Sequence, residues 1–474
     1  MLLSHSCHHS PISMAAYSSF LSFIFFSFLL GSFSITKAVV PANETFRYVN
    51  EGELRLGSDY LTFVSEYAPT YRPLPAFTFP FQLCFYNTTP NAYTLSLRMG
   101  AVRTRTVLPW VWEANRGKPV RENATFSLGS DGNLVLAEAN GQIVWQTNTA
   151  NKGVVGFAIL SDGNMVLRDS KGNFVWQSFD SPTDTLLIGQ TLRVKGGPYK
   201  LVSRASVTNN VDGVYSLVIE PKRLALYYKN MPYWSSTFPE LNRKNVTIVN
   251  ATLVIQETEY EENNFNALRC NILNGQSWEF PNIDMGQVQY NSSLSYLRLG
   301  IDGNLRLYTY RSNVQGGATW KLLYTMFDRS EDDNGMIFED ECHLPNRCGK
   351  FGLCKDSQCV GCPTPNGVVE WSEDCNTKSP GCKASGFKYY ELKGVDHFTK
   401  YYELKGVDHF TVKYTGGTGP VKRSDCESKC TKDCKCMGYF YHTDRSRCWI
   451  AYELKTLSRV GNSTHYAYIK TPIS

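Results

Sequence analysis

The chain has 474 residues, with 48 Lys and Arg against 43 Asp and Glu, a formal net charge of +5. That length holds two to four domains. A charge so small and so dispersed excludes nucleic acid as an expected partner.

Residues 1–38 read as a signal peptide. A bulky apolar run at 20–33 is broken by Ser and Gly, and Thr36-Lys37-Ala38 offers a small residue for cleavage. No Lys or Arg precedes the run, and Met14 is an alternative start. A membrane anchor would need a longer uninterrupted apolar stretch, and no second one follows. The expectation is a secreted chain without a membrane anchor, beginning near Val39. Seven N-x-[ST] sequons, at Asn43, Asn87, Asn123, Asn245, Asn250, Asn291 and Asn462, are the expected N-glycosylation sites. Setting Cys7 aside leaves 14 of the 15 cysteines, an even number. In an oxidising compartment that predicts a disulfide framework and no free reactive thiol.

From 44 to about 193 the pattern is of short β-rich runs with frequent Gly, Asn and Pro and almost no helical periodicity. Strands are expected at 54–63, 77–86 and 94–99, and at 109–116 before a turn at Gly117. Two matched units follow. Ser130-Asp131-Gly132-Asn133-Leu134-Val135-Leu136 returns as Ser161-Asp162-Gly163-Asn164-Met165-Val166-Leu167. Phe126 aligns with Phe157, Gly141 with Gly172, and Val144-Trp145-Gln146 with Val175-Trp176-Gln177. A fixed offset over so many identities is an internal repeat. Each unit reads as a hairpin whose Gly supplies the positive φ of a tight turn. Trp at the same place in each predicts indoles meeting on one axis of a pseudo-symmetric core.

Strands continue from 192 to 328. Residues 214–218 and 224–228 make a hairpin, with Pro232-Tyr233-Trp234 after it. A third turn motif, Ile301-Asp302-Gly303-Asn304-Leu305-Arg306-Leu307, lies between further strands, and Trp320 closes the region. Residues 330–341 read as a solvated acidic linker; Ser330 stands where a calcium loop needs Asp, and no amphipathic helix flanks it. Cys342, Cys348, Cys354, Cys359 and Cys362, with Cys375 and Cys382 beyond, have few apolar residues between them, so disulfides must replace a core. Zinc is the rival reading of Cys359 and Cys362, but no second CxxC lies near. The last region carries Cys426, Cys430, Cys434, Cys436 and Cys448 at C-x3-C-x3-C-x-C-x11-C spacing; the resemblance to a PAN/apple domain that this pattern carries implies a helix over 423–435. Residues 388–399 and 400–411 are twelve identical residues in tandem. Only one copy can fill a strand slot, and twelve is even, so slipping between copies keeps every side chain on its own face. The unused copy is expected to loop out at little entropic cost.

These residues carry a resemblance. Trp112-Glu113-Ala114-Asn115-Arg116, the paired Asp-Gly-Asn repeats and Trp176-Gln177-Ser178-Phe179-Asp180 look like a plant bulb-type lectin domain, and the third motif's region resembles a more divergent one. The cysteine pattern of 342–382 looks like the EGF-like linker of plant S-domain proteins, and that of 426–448 like a PAN/apple domain. Residues 81–90 and 148–157 narrow the match to the plant epidermis-specific secreted glycoprotein family. The resemblance implies a mostly β fold: two β-prism II (bulb-type lectin) domains at 39–190 and 191–328, a disulfide-rich EGF-like linker at 329–381, and a PAN/apple domain at 382–474. It also implies Cys426–Cys448 and Cys430–Cys436 bridges and residence in the apoplast or cell wall.

The lectin family reads mannose with Q-x-D-x-N-x-V-x-Y on one strand, where alternate residues share a face. Asp131, Asn133 and Val135 keep part of that pattern, with Gly129 and Ala137 for Gln and Tyr. Asp162, Asn164 and Val166 keep part, with Leu160 and Arg168 in those places. Asp302, Asn304 and Tyr308 keep part, with Gly300 for Gln and Arg306 for Val. Every site is incomplete, and each lost hydrogen-bond partner costs about 1–3 kcal/mol. The third motif is the expected binder because it alone keeps Tyr. No GxSxG, HExxH, phosphate loop or kinase signature is present, so no enzyme, cofactor or metal is expected. The expected partners are cell-wall glycans or glycoproteins. The alternative is a protein-interaction module that uses the PAN and prism surfaces, with a protein partner or a second copy in a homodimer.

Overall fold

The computed structural model describes residues 39–56, 64–65, 67, 70–100, 107–236, 247–258, 261–274, 277–279, 282–288, 294–310, 320–328, 339–364, 367–373, 375 and 401–470. The signal-peptide reading, the sequons at Asn245 and Asn291, Cys382 and the first tandem copy lie outside them. The fold is mostly β, built as two three-sided prisms followed by a disulfide-rich C-terminal region.

The first prism has sheets of five, four and three strands. Each carries one equivalent row of side chains in register. Leu97 lies between Leu83 and Trp112 in the first sheet. Leu136 lies between Phe126 and Trp145 in the second. Leu167 lies between Phe157 and Trp176 in the third. The strands alternate, so each row faces inward, and the three rows close into one buried cluster. On its axis Trp112, Trp145 and Trp176 meet edge-to-face, with centroids 5.7, 6.3 and 5.8 Å apart and every interplanar angle 76°. That geometry sets the positive ring edge against the negative face of the next indole.

The second prism also has three sheets. Its first strand, Thr185–Leu187, precedes residue 191 and pairs with Ser295–Leu299, so the chain crosses between prisms before the expected boundary. The row that ends in Trp elsewhere is Leu297–Leu307–Tyr324 here. Trp320 lies four residues before Tyr324, past a shift in register, and packs on Tyr296 and Tyr310 instead.

In the Asp-Gly-Asn turns, Gly132, Gly163 and Gly303 have φ of +82°, +89° and +83°. All three glycines have a second reason to be glycine, since a Cβ on Gly132 would meet Val154 at 2.7 Å. A Cβ on Gly163 would meet Phe81 at 2.6 Å and Leu187 at 2.7 Å, and one on Gly303 would meet the Tyr215 ring at 2.6 Å.

Among the described residues, Cys342–Cys354, Cys348–Cys359 and Cys362–Cys375 are bridged before the helix. Cys359 and Cys362 therefore belong to different disulfides. Cys426–Cys448 and Cys430–Cys436 fasten the helix Arg423–Lys432 to the sheet. That helix stops at Lys432 rather than at 435: Asp433 turns extended, and its carboxylate accepts from the Lys435 amide at 2.9 Å. The second tandem copy supplies an edge strand to each of two sheets, Tyr401–Lys405 to one and Val407–His409 to the other. The end of the acidic linker is paired rather than solvated. Glu339 accepts from Lys413 Nζ at 2.7 Å and from the Tyr414 hydroxyl at 2.7 Å, and Asp340 caps the turn Glu341–His343.

The disulfide framework does not take in every cysteine, and the expectation of no free reactive thiol is sharpened accordingly: among the described residues two free thiols are present, both inaccessible. Cys84 and Cys270 are unpaired and buried, one in each prism: Cys270 lies on the inward face of its strand, and Cys84 lies on the face opposite Leu83, packed with Tyr71, Tyr86 and Trp110. Burial pushes both thiols up to about 12. Alkylation of the native protein should therefore leave both untouched, since the thiolate is the nucleophile. Denaturation without reduction should expose Cys84 and Cys270 to label, and mass mapping that finds neither labelled would show them oxidised.

Candidate functional site

Each turn motif is built around its Asn. Asn133 is 8% exposed; its Nδ2 donates to Gln146 Oε1 at 2.7 Å, and its Oδ1 accepts from Thr147 Oγ1 and the Thr149 amide. Asn164 donates to Gln177 Oε1 at 2.9 Å and accepts from Ser178 Oγ and the Phe179 amide. Asn304 donates to the Phe327 carbonyl and accepts from the Phe327 amide. In every copy this side chain ties the turn to the third strand of its sheet. Its hydrogen-bonding capacity is largely used inside the protein.

The Asp residues are exposed and begin each turn. Asp131, Asp162 and Asp302 each accept the backbone N–H two residues on, at 3.0, 2.9 and 3.1 Å. That is an Asx turn, which uses one carboxylate oxygen. The second oxygen differs between copies. In the third motif Arg306, which stands in place of Val, donates to Asp302 Oδ1 at 3.0 Å and to Oδ2 at 2.6 Å. This bidentate pair covers both oxygens. Gly300 makes it fit, since a Cβ there would meet Asp302 at 2.4 Å and Arg306 at 3.0 Å. Tyr308 is stacked on Tyr296, with centroids 5.0 Å apart. The third motif thus keeps its Tyr but offers a ligand the least. Asp and Arg four residues apart on one strand share a face, and that spacing was the available signal.

Val166 in the second motif is fully buried and cannot touch a sugar ring. Val135 in the first is half-buried, on the same face as exposed Asp131. Asp131's second oxygen has no partner among the described residues. The first motif therefore holds the most open combination of a carboxylate and an apolar contact.

The sequons divide by burial. Asn43, Asn123 and Asn462 are exposed. Asn87 is 8% exposed within a strand and accepts from the Thr70 hydroxyl, while Asn250 is half-buried opposite Arg193.

A polar cluster with no counterpart in the sequence reading lies between the prisms. Arg116 donates from Nε to Glu113 Oε2 at 2.6 Å, from Nη1 to the Val202 carbonyl at 2.9 Å and from Nη2 to Asp184 Oδ2 at 3.0 Å. Arg204 donates to the Tyr86 hydroxyl at 2.7 Å and lies 3.4 Å from Glu113. Tyr86 in turn donates to Glu113. Arg298 donates to the Trp110 carbonyl at 2.7 Å. Burial opposes the charge on Arg116, yet Asp184 and Glu113 hold it protonated above the ordinary range. The charges alternate and are buried, as a structural staple requires.

A third cluster sits in the C-terminal region, where Asp408 lies 3.0 Å from His442 Nε2 and 2.7 Å from His465 Nδ1. These residues are far apart in sequence, and nothing in their local context announces the contact.

The D-mannose binding lectin family matches residues 109–205. The chain is 45% identical to EP1-like glycoprotein 3 of Arabidopsis thaliana, over 95% of this chain and 96% of that one. It is 51% identical to the epidermis-specific secreted glycoprotein EP1 of Daucus carota, over 77% of this chain and 96% of that one. The two-domain, fetuin-binding Scilla campanulata agglutinin aligns with 54% of this chain and 98% of its own, at 18% identity and a TM-score of 0.18.

Proposed function

The chain belongs to the EP1-like glycoprotein family, and we propose from that premise that it is a secreted cell-wall glycoprotein contacting mannose-type glycans through its first Asp-Gly-Asn hairpin. The observation that carries this reading is the exposed Asp131 carboxylate, with one oxygen unused, on the same face as half-buried Val135. A sugar needs a charged acceptor for its hydroxyls and an apolar contact for its ring carbons, and this hairpin presents both. Gly129 and Ala137 supply none of the hydrogen bonds that Gln and Tyr give in the family pattern. Contact through one hairpin is therefore weak.

A glycan array probed with the mature protein is expected to show mannose-type binding that free mannose competes away. Asp131→Ala should weaken it about tenfold or more, the equivalent of one charge-assisted hydrogen bond. Asp131→Asn, which preserves the turn, separates loss of charge from loss of the hairpin. Asp302→Ala should leave binding unchanged, because Arg306 already takes that carboxylate. Loss on Asp302→Ala with retention on Asp131→Ala would overturn the assignment.

The internal use of Asn133, Asn164 and Asn304 favours a second reading, in which the prisms are interaction surfaces for a protein partner. Capture of one protein, unaffected by free sugars and with no array signal, would replace the glycan reading with this one.

A further inference from the structure

In the C-terminal four-stranded sheet, register sets His442 opposite both Arg447 and His465. Opposed residues share a face, so Arg447, His442 and His465 form one row across three strands. Asp408 closes over two of them. Asp408, His442 and His465 together are a set that a metal ion could use, but two features argue against it. The imidazoles are stacked, with centroids 3.4 Å apart and planes 15° from parallel. A ring nitrogen's lone pair lies in the ring plane, so two rings stacked this closely cannot both aim at one ion. In addition, Asn462 Nδ2 lies 3.1 Å from His465 Nε2. An amide nitrogen only donates, so Nε2 accepts and the ring proton sits on Nδ1, pointing at Asp408. The Asn462 amide is fixed that way because its Oδ1 accepts from the Thr464 amide at 2.9 Å and the Thr464 hydroxyl at 2.8 Å. The three groups satisfy one another.

Arg447, the remaining member of the row, has no partner among the described residues and is half-buried. It lines a cavity of about 540 Å³ with Arg445, Trp449, Thr415, Asn462 and the Asp408 triad. That volume suits a small ligand. The other cations of the cavity are engaged: Lys413 is bound by Glu339 at 2.7 Å, and Arg445 sits at the rim 3.7 Å from Asp444. His343 also lines it and faces Glu339 at 3.6 Å. Arg447 is thus the half-buried cation of the cavity without an ion pair among the described residues, while the Asp408 carboxylate of the same lining is held by the two imidazoles. Holding a guanidinium half-buried without a counter-ion is costly, and its planar fork fits a carboxylate through two parallel hydrogen bonds.

We propose that this cavity binds a carboxylated saccharide, with Arg447 taking the uronate carboxylate. The saccharide part rests on the glycan reading above, and the site is separate from the Asp131 hairpin. Calorimetric titration of the full mature protein with a uronic-acid oligosaccharide is the test, with its neutral methyl ester and succinate as comparison ligands. The acid should bind at least tenfold more tightly than either. Arg447→Gln should remove that preference, Arg447→Lys should restore part of it, and added salt should weaken binding. Asp131→Ala should not alter it, so failure here and failure of the hairpin reading are distinguishable. Equal binding of acid and ester, or unchanged binding by a folded Arg447→Gln variant, would overturn the carboxylate site. Succinate binding as tightly as the oligosaccharide would overturn the saccharide assignment.

Discussion

Replacing Arg116 with Ala is expected to destabilise the protein by about 3–5 kcal/mol, the cost of leaving a buried counter-charge unpaired. Among the described residues, Arg116 alone binds both Glu113 of the first prism and Asp184 at the start of the second through side-chain nitrogens within 3.0 Å. Its removal leaves Asp184 facing Arg298 at 4.0 Å and Glu113 facing Arg204 at 3.4 Å. Urea unfolding monitored by Trp fluorescence measures the loss. By contrast, Lys229→Ala breaks a partly exposed pair with Glu453 and should cost less than about 1 kcal/mol. The effect should also depend on pH. Burial works to raise the Asp184 carboxyl, but Arg116 and Arg298 hold it below its ordinary value. A depressed carboxyl stabilises the fold above the unfolded-state value of ~3.9 and loses that contribution as pH falls through its folded value. The difference between wild type and Arg116→Ala should therefore shrink below about pH 4. A variant as stable as wild type at pH 7 would mean that the cluster is not a staple.

Trp112→Ala should cost a similar amount, about 3–5 kcal/mol for truncating a buried indole. Trp112 is 5% exposed, touches both other indoles on the axis and donates from Nε1 to the Ser181 carbonyl at 3.0 Å. Truncation opens a cavity at the one point where all three sheets of the first prism meet, and strands held from both sides cannot collapse to fill it. Trp112→Phe, which refills most of the volume but drops the hydrogen bond, should recover more than half of the loss. Thermal unfolding of both variants measures the split. If Trp112→Phe were as unstable as Trp112→Ala, the hydrogen bond rather than packing would be the dominant contribution.

The repeat determined the architecture from the sequence alone. Matched Phe, Asp-Gly-Asn and Trp positions set hairpin lengths, turn type and which side chains face inward, because those depend on periodicity and on the φ that Gly permits. The cysteine spacings likewise marked out the C-terminal region, since short loops with few apolar residues must be stapled. What the sequence could not rank were the three turn motifs. Their Asp and Asn residues look alike in a string, and only the folded sheet decides that Arg306 closes over Asp302, that Val166 is buried and that Asp131 stays open. The inter-prism staple was equally hidden. Glu113 and Arg116 are three apart, but Asp184, Arg204 and Arg298 reach them only after the second prism docks. The same holds for Arg447, His442 and His465, which strand register brings into one row, and for Asp408, which reaches that row from a neighbouring sheet. Local propensity acts within a few residues. Charge pairing, solvent exposure and the emptiness beside a cation depend on which strands become neighbours, and only the tertiary structure decided that.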